Sequence, residues 1–129
     1  MSAKVWLVDN DLSVRESLGF VLKAIEYEVA DFADIASFAD AVHSNDPLQG
    51  CLLVDMPTAG ADELNVMVNL TFRHALLPII IMTDQDNVEA CRQAFSHGVF
   101  AIFSKPLEIE ALLETLHQAM QESEKRAQS

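Results

Sequence analysis

Polar residues stand directly after four short apolar runs of this sequence, where buried strands would end. They are Asp9, Asn10 and Asp11 after the first run, Asp55 after the third, Thr83 and Asp84 after the fourth, and Ser104 and Lys105 after the fifth. Carboxylates bind hard cations such as magnesium, an ammonium group neutralises an oxyanion, and a hydroxyl donates a hydrogen bond to one. If the fold brings these residues together, they predict a site for phosphoryl chemistry.

The elements that would position these residues are five apolar runs that alternate with longer amphipathic stretches. The runs are residues 4–8, 29–32, 51–54, 79–82 and 99–103. Such alternation predicts an α/β fold with a five-stranded parallel sheet flanked by five helices. Ser13 and Glu16 have the spacing of a capping box at the start of the first helix, and Leu112, Leu116 and Met120 form the apolar face of the last.

The strand order decides which polar residues meet. In an open parallel sheet, ligands bind at the carboxyl ends of the strands, near the point where the strand order reverses. With the order 2-1-3-4-5, we expect Asp9 and Asp55 to end adjacent central strands, with Thr83 and Lys105 beside them. Acids end many strands because loops are wet, so it is the joint spacing that favours a functional site.

Length and composition limit the class of protein. A chain of 129 residues, half of them apolar, is enough for one domain with its own core. Cys51 and Cys91 lie in apolar or helical patterns, so we expect free thiols in a reducing, cytoplasmic setting. No apolar stretch is long enough to span a bilayer, so we expect no membrane contact. Twenty acids against eight bases give a net charge of −12, which disfavours direct binding to nucleic acid.

The end of the chain is polar. From Gln121 onward no apolar residue is placed to anchor a helix. We therefore expect a domain over residues 1–121, followed at 122–129 by a polar tail or the start of a linker.

Four segments together resemble the receiver domain of two-component response regulators, in particular its FixJ-like branch. They are residues 5–11 (Val-Trp-Leu-Val-Asp-Asn-Asp), Asp55 with Met56 and Pro57, residues 79–83 (Ile-Ile-Ile-Met-Thr) and residues 103–106 (Phe-Ser-Lys-Pro). The resemblance covers nearly the whole chain. It implies a flavodoxin-like receiver fold with strand order 2-1-3-4-5, and a role in phosphorelay signal transduction and transcription regulation.

The resemblance also implies a role for each residue of the site. Asp55 would be the phosphoacceptor, and Asp9 would bind magnesium together with it. Thr83 would be the switch hydroxyl, and Lys105 would bind the phosphoryl group delivered by a histidine kinase. The peptide bond between Lys105 and Pro106 would be cis.

Four departures from the family pattern fall in this pocket. The family's second metal-binding acid falls on Asn10, whose neutral amide is a poorer magnesium ligand. The loop after Asp55 is two residues short, which puts Pro57, without an N–H, where the family has a backbone donor. Asp84 stands where the family has a small residue, and its charge would repel a phosphoryl group. The aromatic switch position falls on Ile102.

These departures predict an atypical receiver that acts as a regulatory protein-interaction or dimerisation module. Aspartyl phosphorylation would be weakened or lost, and Asp9 and Asp55 would form a weak magnesium site at best. The partner would be a histidine kinase, another signalling protein or a second copy of the chain, with residues 88–93 and 110–118 as the contact face.

Two alternatives stay open. One is a conventional receiver that is phosphorylated on Asp55 and controls a transcriptional output domain. The other, more remote, is an aspartyl-nucleophile phosphohydrolase, which would need an acid where Pro57 stands. We expect no enzymatic activity, because the sequence lacks that acid.

Overall fold

Five parallel strands form one sheet in the computed structural model, which describes residues 4–42, 48–56, 77–94 and 99–128. The strands are β1 (Lys4–Val8), β2 (Glu28–Phe32), β3 (Cys51–Asp55), β4 (Ile79–Thr83) and β5 (Ala101–Ser104). Their order is β2-β1-β3-β4-β5, and every neighbouring pair is parallel. The predicted sheet and its strand order are confirmed.

Four α-helices lie within the described residues. They are α1 (Leu12–Ala24), α2 (Ile35–Ala41), α3 (Val88–Ala94) and α4 (Ile109–Gln128), and a short 3-10 turn (Gln85–Asn87) leads into α3. The fifth predicted helix, between β3 and β4, falls in residues 57–76, outside the described residues. The α/β alternation is therefore present wherever the structure describes it.

The helices cover both faces of the sheet and close a core on each. On one face, Phe38 of α2 and Cys91 of α3 pack against β3 and β4, and on the other, Leu22 of α1 and Leu116 of α4 do so. All five residues of β4 are buried. A central parallel strand is covered on both sides, which explains why its sequence is continuously apolar rather than alternating.

β5 begins two residues later than the apolar run that predicts it. Val99 and Phe100 precede the strand and pack against opposite cores. The Phe100 N–H already donates to the carbonyl of Ile79, at 2.7 Å. These two residues are apolar because they fill space on either side of the sheet, although they lie ahead of the strand itself.

The start of α1 differs from the prediction of a capping box at Ser13 and Glu16. The helix begins at Leu12, and the Asp11 carboxylate accepts hydrogen bonds from the N–H groups of Ser13 (2.9 Å) and Val14 (3.3 Å). Ser13 is thus inside the first turn and cannot be the cap. An aspartate ahead of the helix satisfies the same free N–H groups and adds a favourable negative charge.

Helix α4 continues through the polar segment at 122–128. Ser123 is 2% exposed, and its Oγ accepts a hydrogen bond of 2.9 Å from the N–H of Gly50. Gly50 has φ of +110°, and a Cβ there would collide with the carbonyl of Lys4. A buried polar contact thus anchors a stretch of sequence that has no apolar anchor. The division of the chain at residue 121 stays a prediction.

Both cysteines, Cys51 and Cys91, are buried free thiols. Within the described ranges, no helix combines the length and the apolar character that crossing a bilayer requires.

Candidate functional site

The carboxyl ends of four strands bring the predicted site residues together. Val8 pairs with Val54, Asp55 with Met82, and Thr83 with Ser104, so these strands end nearly level. Asp9 follows β1, Asp55 and Thr83 end β3 and β4, and Lys105 follows β5. The observed strand order therefore places the two carboxylates on adjacent central strands, with the hydroxyl and the ammonium group beside them.

Lys105 and Asp55 form an ion pair at the centre of the site. The Lys105 Nζ lies 2.5 Å from Asp55 Oδ1, and the side chains are 35% and 4% exposed. Burial alone would lower the pKa of Lys105, but the hydrogen bond and charge of Asp55, with the charges of Asp9 and Asp84, raise it above its usual value. Lys105 is therefore held in its charged form by three carboxylates.

Asp9 is the most buried acid of the site, at 2% exposure. Its Oδ1 accepts a hydrogen bond of 2.9 Å from the N–H of Asp11, whereas no hydrogen-bond donor among the described residues reaches Oδ2. Burial raises the pKa of Asp9, and the charge of Asp55 adds to this, while the Asp11 N–H and Lys105 oppose it. A buried carboxylate oxygen without a donor is suited to bind a cation.

The hydroxyl of Thr83 is turned towards the chain that follows Asp55. Thr83 is fully buried, and its Oγ1 donates to the carbonyl of Met56 at 2.6 Å. The N–H of Met56 in turn donates to the carbonyl of Met82, at 2.8 Å. Residue 56 is thus tied to β4 through both of its backbone polar groups.

Two of the residues that depart from the family pattern lie at the exposed edge of the site. Asn10 and Asp84 are exposed, and Asp84 comes directly before the 3-10 turn without a side-chain capping bond. Ile102 is partly buried and packs against the core on the α3 side of the sheet. The Lys105–Pro106 peptide bond is cis. Pro57 lies outside the described residues.

Arg15 is a site residue that the sequence analysis missed. Its Nη1 donates to the carbonyl of Asp9 at 2.8 Å, and its Nε donates to Asp31 Oδ2 at 3.0 Å. The guanidinium therefore fixes the backbone at the end of β1. Its signal was available, because an arginine in the first turn opposes the helix dipole and so calls for an acidic or carbonyl partner nearby.

The acids present fit a magnesium ion only in part. Within residues 4–42, 48–56, 77–94 and 99–128, no cluster of three acid, histidine or cysteine side chains is placed to hold a metal. Among the described residues, neither Asp9 Oδ2 nor Asp55 Oδ1 accepts a hydrogen bond that meets geometric criteria, although Asp55 Oδ1 lies in the ion pair with Lys105. Asn10 offers only a neutral amide oxygen. Magnesium demands near-octahedral oxygen coordination and is bound through carboxylates, so Asp9 and Asp55 are the described residues that would hold it.

Comparisons with known proteins agree with the geometry. Residues 5–117 match the family model described as the response regulator receiver domain. The chain is 30% identical over 124 residues to the DNA-binding transcriptional regulator NtrC of Escherichia coli K12, a match covering 96% of this chain and 26% of that protein. It is 27% identical over 125 residues to the transcriptional regulatory protein FixJ of Bradyrhizobium diazoefficiens, covering 97% of this chain and 60% of that protein.

A solved structure has the same fold. Full-length FixJ from B. japonicum superposes with a TM-score of 0.82 at 27% identity, covering 99% of this chain and 63% of that one. This chain thus spans between about a quarter and three fifths of the curated relatives that it matches.

Proposed function

This chain belongs to the receiver domain family of two-component response regulators, and we propose that it is an atypical receiver. In this proposal it is a regulatory module that works by binding protein, with phosphorylation of Asp55 weak or absent. It catalyses no turnover of its own.

The observation that carries the proposal is the charge around Lys105. Asp9, Asp55 and Asp84 all act on this one ammonium group and raise its pKa. A phosphoryl group on Asp55 would bring further negative charge to a place that already has more acids than bases. The family pattern has no acid at Asp84 but has one where Asn10 stands, so the number of acids is the same and their placement differs. In this proposal the negative charge at the end of β4 disfavours the modified state, because the acid that would help to hold a compensating metal ion is missing from the end of β1.

The metal site supports the same proposal. Magnesium, when bound to a receiver, neutralises the oxygens of the incoming phosphoryl group. Here Asp9 and Asp55 would be its carboxylate ligands, and Asn10 would contribute no charge. A weaker metal leaves the repulsion from Asp84 less compensated.

The contact surface in this proposal comprises residues 88–93 of α3 and 110–118 of α4. Arg92 and Glu89 form an exposed ion pair on α3, at 3.1 Å, and Glu110 and Glu114 are exposed on α4. In a dimer with two-fold symmetry, the basic residue of one copy can lie opposite the acids of the other. A histidine kinase or another signalling protein with basic residues would fit the same face.

The charge of the chain and its free thiols support the remaining assignments. A net charge of −12 opposes contact with a phosphate backbone, so any DNA-binding function belongs to another domain or partner. Buried, unpaired Cys51 and Cys91 suit a reducing compartment, and we place the protein in the cytoplasm.

A conventional receiver is the second candidate, because Asp55, Thr83 and Lys105 do meet at one edge of the sheet. In that case Asp55 is phosphorylated efficiently and the modification changes the oligomeric state. The relatives named above are transcriptional regulators, so the output would be gene control by a domain outside this chain.

One experiment separates the two candidates. The protein is incubated with acetyl phosphate and magnesium, and then measured by intact mass and size-exclusion chromatography, with Asp55→Asn as the unmodifiable control and a typical receiver as the positive control. We expect no mass gain under conditions that modify the typical receiver. A gain of one phosphoryl group that is absent from Asp55→Asn, with a shift in elution, would favour the conventional switch instead.

A further inference from the structure

The switch hydroxyl of this receiver already has an acceptor inside the protein. We propose that the Met56 carbonyl takes the place of a phosphoryl oxygen as the partner of Thr83, and so holds α3 in one position without modification. This inference rests on the proposed function, because it explains how an unmodified receiver can present a constant binding face.

The first step of the argument is the geometry at Met56. This residue is 1% exposed, its N–H donates to Met82, and its carbonyl accepts from Thr83 at 2.6 Å. The chain after Asp55 therefore continues along β4 for one residue beyond the strand. Met56 is thereby held at the end of β4, where the Thr83 hydroxyl reaches its carbonyl.

The second step is the link from Thr83 to α3. Cys91 of α3 is fully buried and belongs to the same core as Met56. Thr83 is also the last residue of β4, and after Asp84 the chain enters the 3-10 turn that leads into α3, where the Asn87 N–H donates to the Asp84 carbonyl at 2.9 Å. The carbonyl of Thr83 also accepts from the N–H of Lys105, at 2.9 Å. Thr83 thus joins the chain that follows β3 to the chain that follows β5, directly ahead of the turn that leads into α3.

The third step is the cost of any other arrangement. If the hydroxyl turned to a group on Asp55, the buried carbonyl of Met56 would lose a donor, and a buried polar group without a partner is strongly unfavourable. The competing interaction would have to compensate for that loss in a pocket that already repels negative charge. The hydrogen bond between Thr83 and Met56 is therefore the stable arrangement in the resting protein.

The test is hydrogen exchange of the α3 amides, measured with and without acetyl phosphate and magnesium. Thr83→Val has nearly the same shape but no hydroxyl, and Thr83→Ser keeps the hydroxyl. Thr115→Val makes the same chemical change at a partly buried position of α4. We expect Thr83→Val to speed exchange in α3 by about tenfold, with Thr83→Ser and Thr115→Val close to wild type.

Unchanged α3 exchange in Thr83→Val would overturn the inference. So would an equal rise in exchange in α1 and β1, because Thr83 would then be a general stabilising residue. If Thr83→Val does not fold, Thr83→Ala removes the same hydroxyl and is read in the same way. In the wild type, NMR should find a slowly exchanging Thr83 hydroxyl proton, and a rapidly exchanging one contradicts the proposal.

Intact mass on the same samples separates this inference from the proposed function. If wild-type Asp55 gains a phosphoryl group while α3 exchange stays constant, the proposed function fails and the Thr83–Met56 contact stands. If modification also changes α3 exchange, both fail. If no modification occurs and Thr83→Val leaves α3 unchanged, only the inference about Thr83 fails.

Discussion

The Lys105 ammonium group lies 2.5 Å from Asp55 Oδ1, in an ion pair whose acid is almost fully buried and whose base is one third exposed. The acid has little access to water, so Lys105 is its main source of charge compensation among the described residues. The charges of Asp9 and Asp84, as well as that of Asp55, favour the protonated form of Lys105. The pair therefore supports the fold as well as defining the site.

Replacing Lys105 should destabilise the protein. In Lys105→Met, Asp55 stays buried without its cation, and we expect the free energy of unfolding to fall by about 2 kcal/mol. This loss is smaller than that expected for a fully buried ion pair, because Lys105 is partly exposed to water. Since the pKa of Lys105 is raised, this contribution is fully present below its unfolded value of 10.5 and is lost only as the pH rises through the folded value. Urea unfolding at neutral pH measures it.

The control is Lys23→Met, which removes an exposed lysine from the last turn of α1. It should change stability by less than about 0.5 kcal/mol. The double variant with Asp55→Asn should recover part of the loss, because no buried charge is then left unpaired. Equal losses in Lys105→Met and Lys23→Met would contradict a role for the ion pair.

Replacing Asp9 by asparagine should stabilise the protein at neutral pH. Burial raises the pKa of Asp9, and the negative charge of Asp55 adds to this rise. The contribution of Asp9 to stability is therefore fully present below the unfolded pKa of 3.8 and is lost as the pH rises through the folded pKa. The asparagine side chain would keep an oxygen for the Asp11 N–H and carry no charge, which should add about 1 kcal/mol near pH 7. Chelator is present throughout, so that no cation occupies the site.

Asp86→Asn is the matched control, because it removes one charge from an exposed acid in a chain of net charge −12. The gain from Asp9→Asn should exceed that of Asp86→Asn at neutral pH and converge with it towards pH 3. A loss of stability in Asp9→Asn under chelation would mean that the ionised carboxylate is favoured in the folded protein.

Much of this fold follows from the sequence, because the five apolar runs are long enough to identify buried parallel strands. The positions of Asp9, Asp55, Thr83 and Lys105 follow too, since strand ends share one edge of the sheet. The acceptor of the Thr83 hydroxyl does not, because it depends on how the backbone leaves β3. Arg15 was missed because its partners lie on other segments, Asp9 directly after β1 and Asp31 in β2, and spacing along α1 does not indicate them; only its unfavourable position in the first turn of α1 pointed to an acidic or carbonyl partner.

Asp11→Ala and Ser13→Ala distinguish the observed cap of α1 from the one predicted by spacing. Asp11 accepts from two free N–H groups, so its loss should cost about 1 kcal/mol. Ser13 lies inside the helix, where alanine has the better propensity, so Ser13→Ala should be neutral or slightly stabilising. Thermal unfolding of both variants side by side gives the answer, and a larger loss in Ser13→Ala would restore the capping box.

Arg15 should not be replaceable by lysine. Its Nη1 and Nε reach the Asp9 carbonyl and the Asp31 carboxylate at once, a fork that a single ammonium group cannot reproduce. Because Arg15 is only 16% exposed, we expect Arg15→Lys to lose about 1 kcal/mol, and Asp31→Asn to lose less, since Asp31 is 53% exposed. Chemical denaturation measures both, and full stability in Arg15→Lys would show that one contact suffices.

Ser123→Ala tests whether the polar end of α4 is part of the folded domain. The substitution leaves the Gly50 N–H without its acceptor in a buried position, and we expect a loss of about 1 kcal/mol despite the better helix propensity of alanine. Ser17→Ala on the exposed side of α1 has the same propensity gain without that contact, so it should not destabilise the protein.

Truncation after Gln121 should cost at least as much stability as Ser123→Ala, because it removes the same hydroxyl together with the last turns of α4. If the truncated chain and Ser123→Ala are both as stable as the full chain in urea, the domain ends at residue 121 and the helical segment beyond it contributes nothing to the fold.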